Sequence, residues 1–300
     1  MEFRTKVAIP KSVWQYEPCE KILFVGSCFA EHIGSRFAQE KFLTLVNPFG
    51  VMYNPVSVGH TIERLLSPSL LDNKRLAPFS LLGENRTPVG KVVITLGTNH
   101  VYILKETGEV VDNCQKRAST LFEERALTVE ECVEVLTTTI GKMVEENPQI
   151  RIMITVSPIR YAKYGYHGSH LSKATLLLAC EQVVRHHPDN VTYFPAYEII
   201  NDELRDYRFY AADMLHPSEQ AVDYIWERLT ETFFSEASLQ FMEEWRPIKQ
   251  ALNHRPFNPD SEEYLAFLEK TREQAMRLYT KYTSFKLSEE EQKRLERSKI

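Results

Sequence analysis

Ile22-Leu23-Phe24-Val25-Gly26-Ser27-Cys28-Phe29-Ala30 is the stretch on which the reading of this chain turns. Four apolar residues, two of them β-branched and one aromatic, predict a buried strand. Gly26 breaks that strand. Phe29, Ile33 and Phe37, with Ala30 and Ala38, recur at helical spacing and predict a helix of about ten residues. A hydroxyl and a thiol therefore fall where a strand turns into a helix N-terminus, and free N–H groups there face incoming negative charge. Ser27 has two readings at such a turn, helix cap or nucleophile. The local sequence by itself favours the cap.

The 300 residues are 43% hydrophobic and 26% charged, with a net charge of −5. That is ordinary for a globular chain with a full core, and it gives no basic footprint for nucleic acid. Met1-Glu2-Phe3-Arg4-Thr5-Lys6 lacks the apolar run of a secretory leader, and no run approaches the roughly 18 apolar residues that cross a bilayer. Five cysteines without regular spacing fit a reduced interior better than a disulfide framework. The expectation is a cytoplasmic protein without a membrane span.

Further strands are predicted at 42–46, 92–96, 150–156 and 191–194. A hairpin is expected where 101–104 and 109–111 flank Lys105-Glu106-Thr107-Gly108. Helices are predicted from Pro55 through Leu66, from Thr128 to Val144, from Ser172 to His187 and from Glu219 to Phe234, with irregular loops at 67–90 and 161–170. Strands alternating with helices predict a parallel, doubly wound α/β sheet with its site along one edge. The last sixty residues change character, with two amphipathic helices separated by Asn258-Pro259-Asp260. The expected division is a domain over 1–235 and a helical extension over 236–300, whose apolar stripe would serve for packing back or for pairing with a second copy.

Serine attacks an acyl carbonyl poorly unless a base takes its proton, a third group orients that base and donors hold the oxyanion. Candidates for each role stand at strand ends: Ser27 after the first, Gly50 after the second, Asn99 after the third. Asp213 and His216 lie on the loop before the last domain helix. At a spacing of three, a carboxylate reaches the imidazole Nδ1 and leaves Nε2 for the nucleophile.

Gly26-Ser27-Cys28-Phe29-Ala30 resembles the signature of the GSCFA family, which is similar to the SGNH (GDSL-like) hydrolases. The resemblance runs on through Val46-Asn47-Pro48-Phe49-Gly50-Val51, Thr95-Leu96-Gly97-Thr98, Val111-Asp112-Asn113-Cys114, Thr155-Val156-Ser157-Pro158, Leu171-Ser172-Lys173-Ala174-Thr175, and Asp206-Tyr207-Arg208-Phe209-Tyr210 to Asp213-Met214-Leu215-His216-Pro217-Ser218. It implies a three-layer α/β/α flavodoxin-like domain with about five parallel strands, and serine esterase chemistry with Ser27 as nucleophile, His216 as base and Asp213 as its orienter. It also implies an oxyanion hole from the Ser27 and Gly50 N–H groups and the Asn99 side chain, with Asn54 as an alternative donor. The chain departs from the SGNH pattern in its first block, Ser27-Cys28 where Asp-Ser-Leu is usual, and in its third, Gly97-Thr98-Asn99-His100 where Gly-x-Asn-Asp is usual. An acylated small molecule or carbohydrate is the implied substrate, and no cofactor is expected.

Cys28 is the rival nucleophile, because a thiolate at a helix N-terminus is reactive; the blander reading packs it in the core. Cys28 and His32 have ligand spacing, but two ligands do not make a zinc site. His100 lines the pocket or caps the hairpin, and His167 and His170 read as solvated loop histidines or, second, as substrate contacts. His186 and His187 suit a helix end. Arg160 and Lys173 could hold an anionic group or form surface ion pairs. Tyr161, Tyr164, Tyr166 and Tyr210 suit sugar stacking, so a glycan- or acyl-binding module without turnover is the alternative to an enzyme.

Overall fold

A computed structural model describes residues 4–82, 89–112, 114 and 117–296. Its elements in chain order are β1 (Lys21–Gly26), α1 (Cys28–Gln39), β2 (Leu43–Val46), α2 (Pro55–Leu65), β3 (Lys91–Leu96), β4 (His100–Leu104), β5 (Val110–Val111), β6 (Phe122–Ala126), α3 (Val129–Glu146), β7 (Arg151–Val156), α4 (Gly165–His186), β8 (Val191–Tyr193), α5 (Ala196–Glu198), α6 (Glu219–Phe233), α7 (Glu236–Asn253), α8 (Glu262–Lys281) and α9 (Glu289–Glu296).

The central sheet has the order β2-β1-β3-β7-β8. β1 pairs parallel with β3, from Ile22 opposite Lys91 to Gly26 opposite Thr95; β3 pairs parallel with β7, and β7 with β8. Strands buried on both faces need continuous apolar runs, which is why β1, β3 and β7 read so plainly in the sequence. Leu23, Val25, Val92, Ile94, Ile152 and Ile154 face one core with Val58 and Ile62 of α2, Leu136 and Ile140 of α3, and Leu176 and Val183 of α4. Phe24 points the other way, against α1, where a Cβ on Gly34 would come within 3.4 Å of its ring. Helices on both faces make this a three-layer α/β/α domain.

Helix starts follow their caps. Asn54 Oδ1 accepts from Ser57 N ahead of Pro55, and Thr128 with Glu131 closes a capping box on α3. Three elements differ from the sequence reading, one of them α9, a third helix after the two expected at the end of the chain. α4 begins at Gly165, so only 161–164 remains of the expected loop, and its first turns bury Ser169, Ser172 and Lys173. A polar buried face gives no apolar stripe to read. β6 joins the hairpin in a three-stranded antiparallel sheet, order β5-β4-β6. Its sequence Phe-Glu-Glu-Arg-Ala is exposed after the first residue, so the alternation that announces a strand is missing. The expected loop over 67–90 holds short 3₁₀ turns at Pro68–Asp72 and Ala77–Phe79, while 83–88 lies outside the described residues.

The chain forms two compact units. One comprises 1–12, 21–35 and 44–232, and contains the central sheet; the other comprises 13–20, 36–43 and 233–300. The second is built on α7 and α8, whose Phe241, Trp245, Ile248, Leu268 and Leu278 share a core with Phe285 and Leu295. An aromatic group of Trp14, Tyr16, Phe37, Phe42, Phe233 and Phe234 belongs to the same unit.

Candidate active site

The carboxyl ends of β1, β3 and β7 carry the groups that the sequence marks. β1 and β7 flank β3, so their ends stand roughly 10 Å apart with the β3 end between them. Gly26 sits at the first of these ends with φ +143°, and a Cβ there would lie 2.1 Å from the Thr95 carbonyl oxygen. Only glycine fits that approach.

Asp213 and His216 are brought together. The Asp213 carboxylate accepts from the Leu215 N–H at 2.9 Å and the His216 N–H at 3.0 Å, and its other oxygen is 2.6 Å from His216 Nδ1. These donors, the two backbone N–H groups foremost, hold the Asp213 carboxyl down to about 2. Ala211 N–H to His216 O and Ser218 N–H to Phe209 O close the loop on either side, with Met214 in the left-handed region at φ 58°. The loop is tied to the β7 end as well: Arg160 donates through its N–H to Leu215 O and through Nη1 to Met214 O, both at 3.0 Å. Nδ1 of His216 is thereby fixed, and Nε2 has no hydrogen-bond partner among the described residues.

Ser27 and Cys28 stand in different environments. Ser27 is fully buried. Its N–H donates to Thr95 O at 2.9 Å and Thr95 Oγ1 at 3.0 Å, and its Oγ lies 3.0 Å from Thr95 Oγ1 while accepting from Phe29 N at 3.3 Å. Ser27 thus caps α1 and is held to the neighbouring strand, with its N–H engaged by Thr95. Cys28 is part-exposed, with Sγ 3.5 Å from Tyr53 Oη, and its own N–H has no acceptor among the described residues. Among the described residues no hydrogen bond joins His216 to Ser27 or Cys28.

Of the other expected oxyanion donors, Gly50 and Asn99 are engaged elsewhere. Gly50 N–H donates to Asn47 O at 2.9 Å, closing a turn. Asn99 is buried, and its Nδ2 donates to Leu127 O at 2.6 Å, which ties the β3 end to the start of α3. Asn54 caps α2 through Oδ1, and its Nδ2 takes no partner among the described residues. His100 stacks on Tyr164 with centroids 3.8 Å apart, and burial lowers its imidazole pKa.

Lys173 is a correction of a different kind. It is 1% exposed, and Nζ donates to Gly97 O at 2.6 Å and Ser157 O at 2.7 Å. It thus clamps the β3 end to the β7 end. Neighbouring Ser172 Oγ accepts from Asn99 N at 3.1 Å and lies 3.0 Å from Thr98 Oγ1. The Leu171-Ser172-Lys173 motif holds the floor of the crevice, a role that spacing alone did not reveal.

Beside the Asp213–His216 loop is a cavity of about 240 Å³ walled by Tyr166, Tyr197, Tyr207 and Tyr210 with Arg160 and His170. The Arg160 guanidinium lies 4.1 Å from the Tyr166 ring centroid and 5.2 Å from that of Tyr210. Among the described residues no group of three His, Cys, Asp or Glu side chains is arranged to hold a metal ion, and no helix is long and apolar enough to cross a membrane.

The sequence profile of the GSCFA family matches residues 21–81 and 80–229. The chain belongs to the GSCFA family. The profile of the GSCFA domain protein, C-terminal domain, matches 245–298 of the same chain. No curated protein matches this GSCFA chain. Solved structures that resemble it include a GDSL-like lipase from Bacteroides thetaiotaomicron VPI-5482, at 13% identity over 75% of this chain and 88% of that one, TM-score 0.39. A member of the lipolytic protein G-D-S-L family from Veillonella parvula DSM 2008 has 13% identity over 71% and 98%, TM-score 0.41. A Corynascus thermopiles carbohydrate esterase family 2 enzyme with a carbohydrate-binding domain has 13% identity over 77% and 69%, TM-score 0.43.

Proposed function

We propose that this GSCFA chain is an acyl-ester hydrolase whose base is His216, oriented by Asp213. The observation that carries the reading is the 2.6 Å pairing of His216 Nδ1 with a carboxylate that three donors hold ionised, on a loop tied to the β7 end. Fixing the proton on Nδ1 leaves Nε2 as the atom that accepts a proton from a nucleophile and returns it to the leaving alcohol. The nucleophile comes from the turn after β1. Acyl transfer to that turn, then to water, accounts for the free Cys28 N–H and the free Asn54 Nδ2 as donors to the developing oxyanion.

Acylated carbohydrate is the substrate class that the neighbouring cavity supports. Tyrosine rings stack on sugar faces, and a guanidinium with one backbone acceptor has donors left for ring hydroxyls or a carboxylate. The same tyrosine-walled cavity favours a second reading, a glycan- or acyl-binding module without turnover. A panel of nitrophenyl esters of increasing acyl length and acetylated sugars separates the two. Turnover that falls to background in His216→Ala supports the hydrolase; binding without acid release in the native protein supports the module.

A further inference from the structure

We propose that the nucleophile of this site is the Cys28 thiol and that the reaction passes through an acyl thioester; this rests on the hydrolase reading above. Ser27 is spent on structure. For its Oγ to attack an ester it would have to leave both Thr95 Oγ1 and the Phe29 N–H that it caps, from a position with no exposure. Cys28 bears none of these duties. It is the first residue of α1, where N–H groups without helical acceptors gather, and its part-exposed sulfur lies 3.5 Å from Tyr53 Oη.

The base stands on the same side. His32 lies one turn after Cys28 on α1, so both project from one face of that helix. His32 Nδ1 is 4.0 Å from the Glu219 carboxylate, three residues beyond His216. The face of α1 that carries Cys28 therefore runs alongside the segment that carries His216. Tyr53 is itself held over the β3 end, since its carbonyl accepts from Gly97 N–H at 2.8 Å and Thr98 N–H at 2.9 Å. Asn54 is next in the chain, and its Nδ2 has no hydrogen-bond partner among the described residues. The Cys28 thiol, the Tyr53–Asn54 pair and the His216 imidazole thus come from three chain segments at the carboxyl end of the sheet.

The chemistry balances without a further reactant. His216 Nε2 takes the proton from Cys28 Sγ, and sulfur attacks the carbonyl carbon, whose π electrons move to oxygen. The tetrahedral oxyanion rests against the Cys28 N–H. Collapse breaks the ester C–O bond, and the alkoxide leaves with the proton from His216. Water then gives a proton to Nε2 and its oxygen to the acyl carbon. The C–S bond breaks, the carboxylic acid departs and the proton returns to sulfur.

Two measurements on the full chain test this together. The first is nitrophenyl acetate turnover. Cys28→Ala is expected to lose roughly 10³-fold or more in kcat, and Cys28→Ser to recover only part of it. Ser27→Ala is expected to keep turnover, diminished through the weaker turn. The second is alkylation by iodoacetamide followed by peptide mapping, with part-exposed Cys114 as internal standard. Cys28 is expected to react about tenfold faster than Cys114 or more, and His216→Ala to remove that advantage. If Ser27→Ala abolishes turnover and Cys28→Ala retains it, the thiol assignment is overturned while the hydrolase reading stands. If the native chain turns over no ester, the hydrolase reading fails separately. The alkylation still decides then: Cys28 no faster than Cys114 overturns the thiol assignment.

Discussion

Lys173→Met should change how stability depends on pH. Lys173 lies with its ammonium between the Gly97 and Ser157 carbonyls, and burial pushes its pKa from 10.5 down to about 7. The sign follows from proton binding. Between about pH 7 and 10.5 the unfolded chain keeps the Lys173 proton and the folded chain gives it up. The unfolded state therefore binds more protons, and stability rises with pH across that window. One proton is worth about 1.4 kcal/mol per pH unit, so the whole window spans about 5 kcal/mol. The two carbonyls and the Tyr161 and Tyr197 rings, 5.2 and 5.9 Å from Nζ, favour the ammonium and make that figure a ceiling. Met keeps the length of the side chain and carries no proton. Urea unfolding of both proteins at pH 7, 8, 9 and 10 should show the native chain gaining on Lys173→Met at each step, with every other titration cancelling in the difference. A difference that is flat across the series would refute the claim that the buried ammonium carries a net penalty.

Three further outcomes are expected. Gly26→Ala places a Cβ 2.1 Å from a backbone oxygen at φ +143°, so it should cost more than about 3 kcal/mol; a urea midpoint within error of the native one would refute the close approach. Asp213→Asn keeps an oxygen for the Leu215 and His216 N–H groups but loses the charge opposite Nδ1, and kcat on an ester should fall roughly 10²- to 10⁴-fold with KM little changed. Because the Asp213 carboxyl is held at about 2, below its usual 3.8, its hold on the turn is present above pH 4 and is lost as pH falls from there toward 2; amide resonances of Leu215 and His216 that stay fixed over that range would contradict this.

The parallel sheet was legible because burial on both faces forces unbroken apolar runs at 22–25, 92–96 and 152–156. The start of α3 at Thr128 was legible because a short polar side chain binds helix N–H groups locally, whereas the cap that Asn54 makes on α2 was not read. β6 was not, since an exposed edge strand needs no apolar alternation, nor α9, whose sole buried side chain is Leu295. At the site, Asp213 and His216 could be paired from their spacing because both bonds close within one turn. Ser27 and Cys28 could not be told apart, because which of two adjacent residues turns inward depends on Thr95, sixty-eight residues away. The burial of Lys173 was not legible for the same reason. Its partners are two backbone carbonyls on different strands, which no sequence pattern marks.

The central claim is that acyl groups pass through the turn after β1 under the control of His216. Brief exposure of the native chain to nitrophenyl acetate, an acid quench and peptide mapping by mass spectrometry test it most directly. The account predicts one acetyl group on Cys28, released by neutral hydroxylamine as a thioester is, and its absence in His216→Ala. An acetyl group on Ser27, or labelling of Cys28 that His216→Ala leaves unchanged, would contradict it.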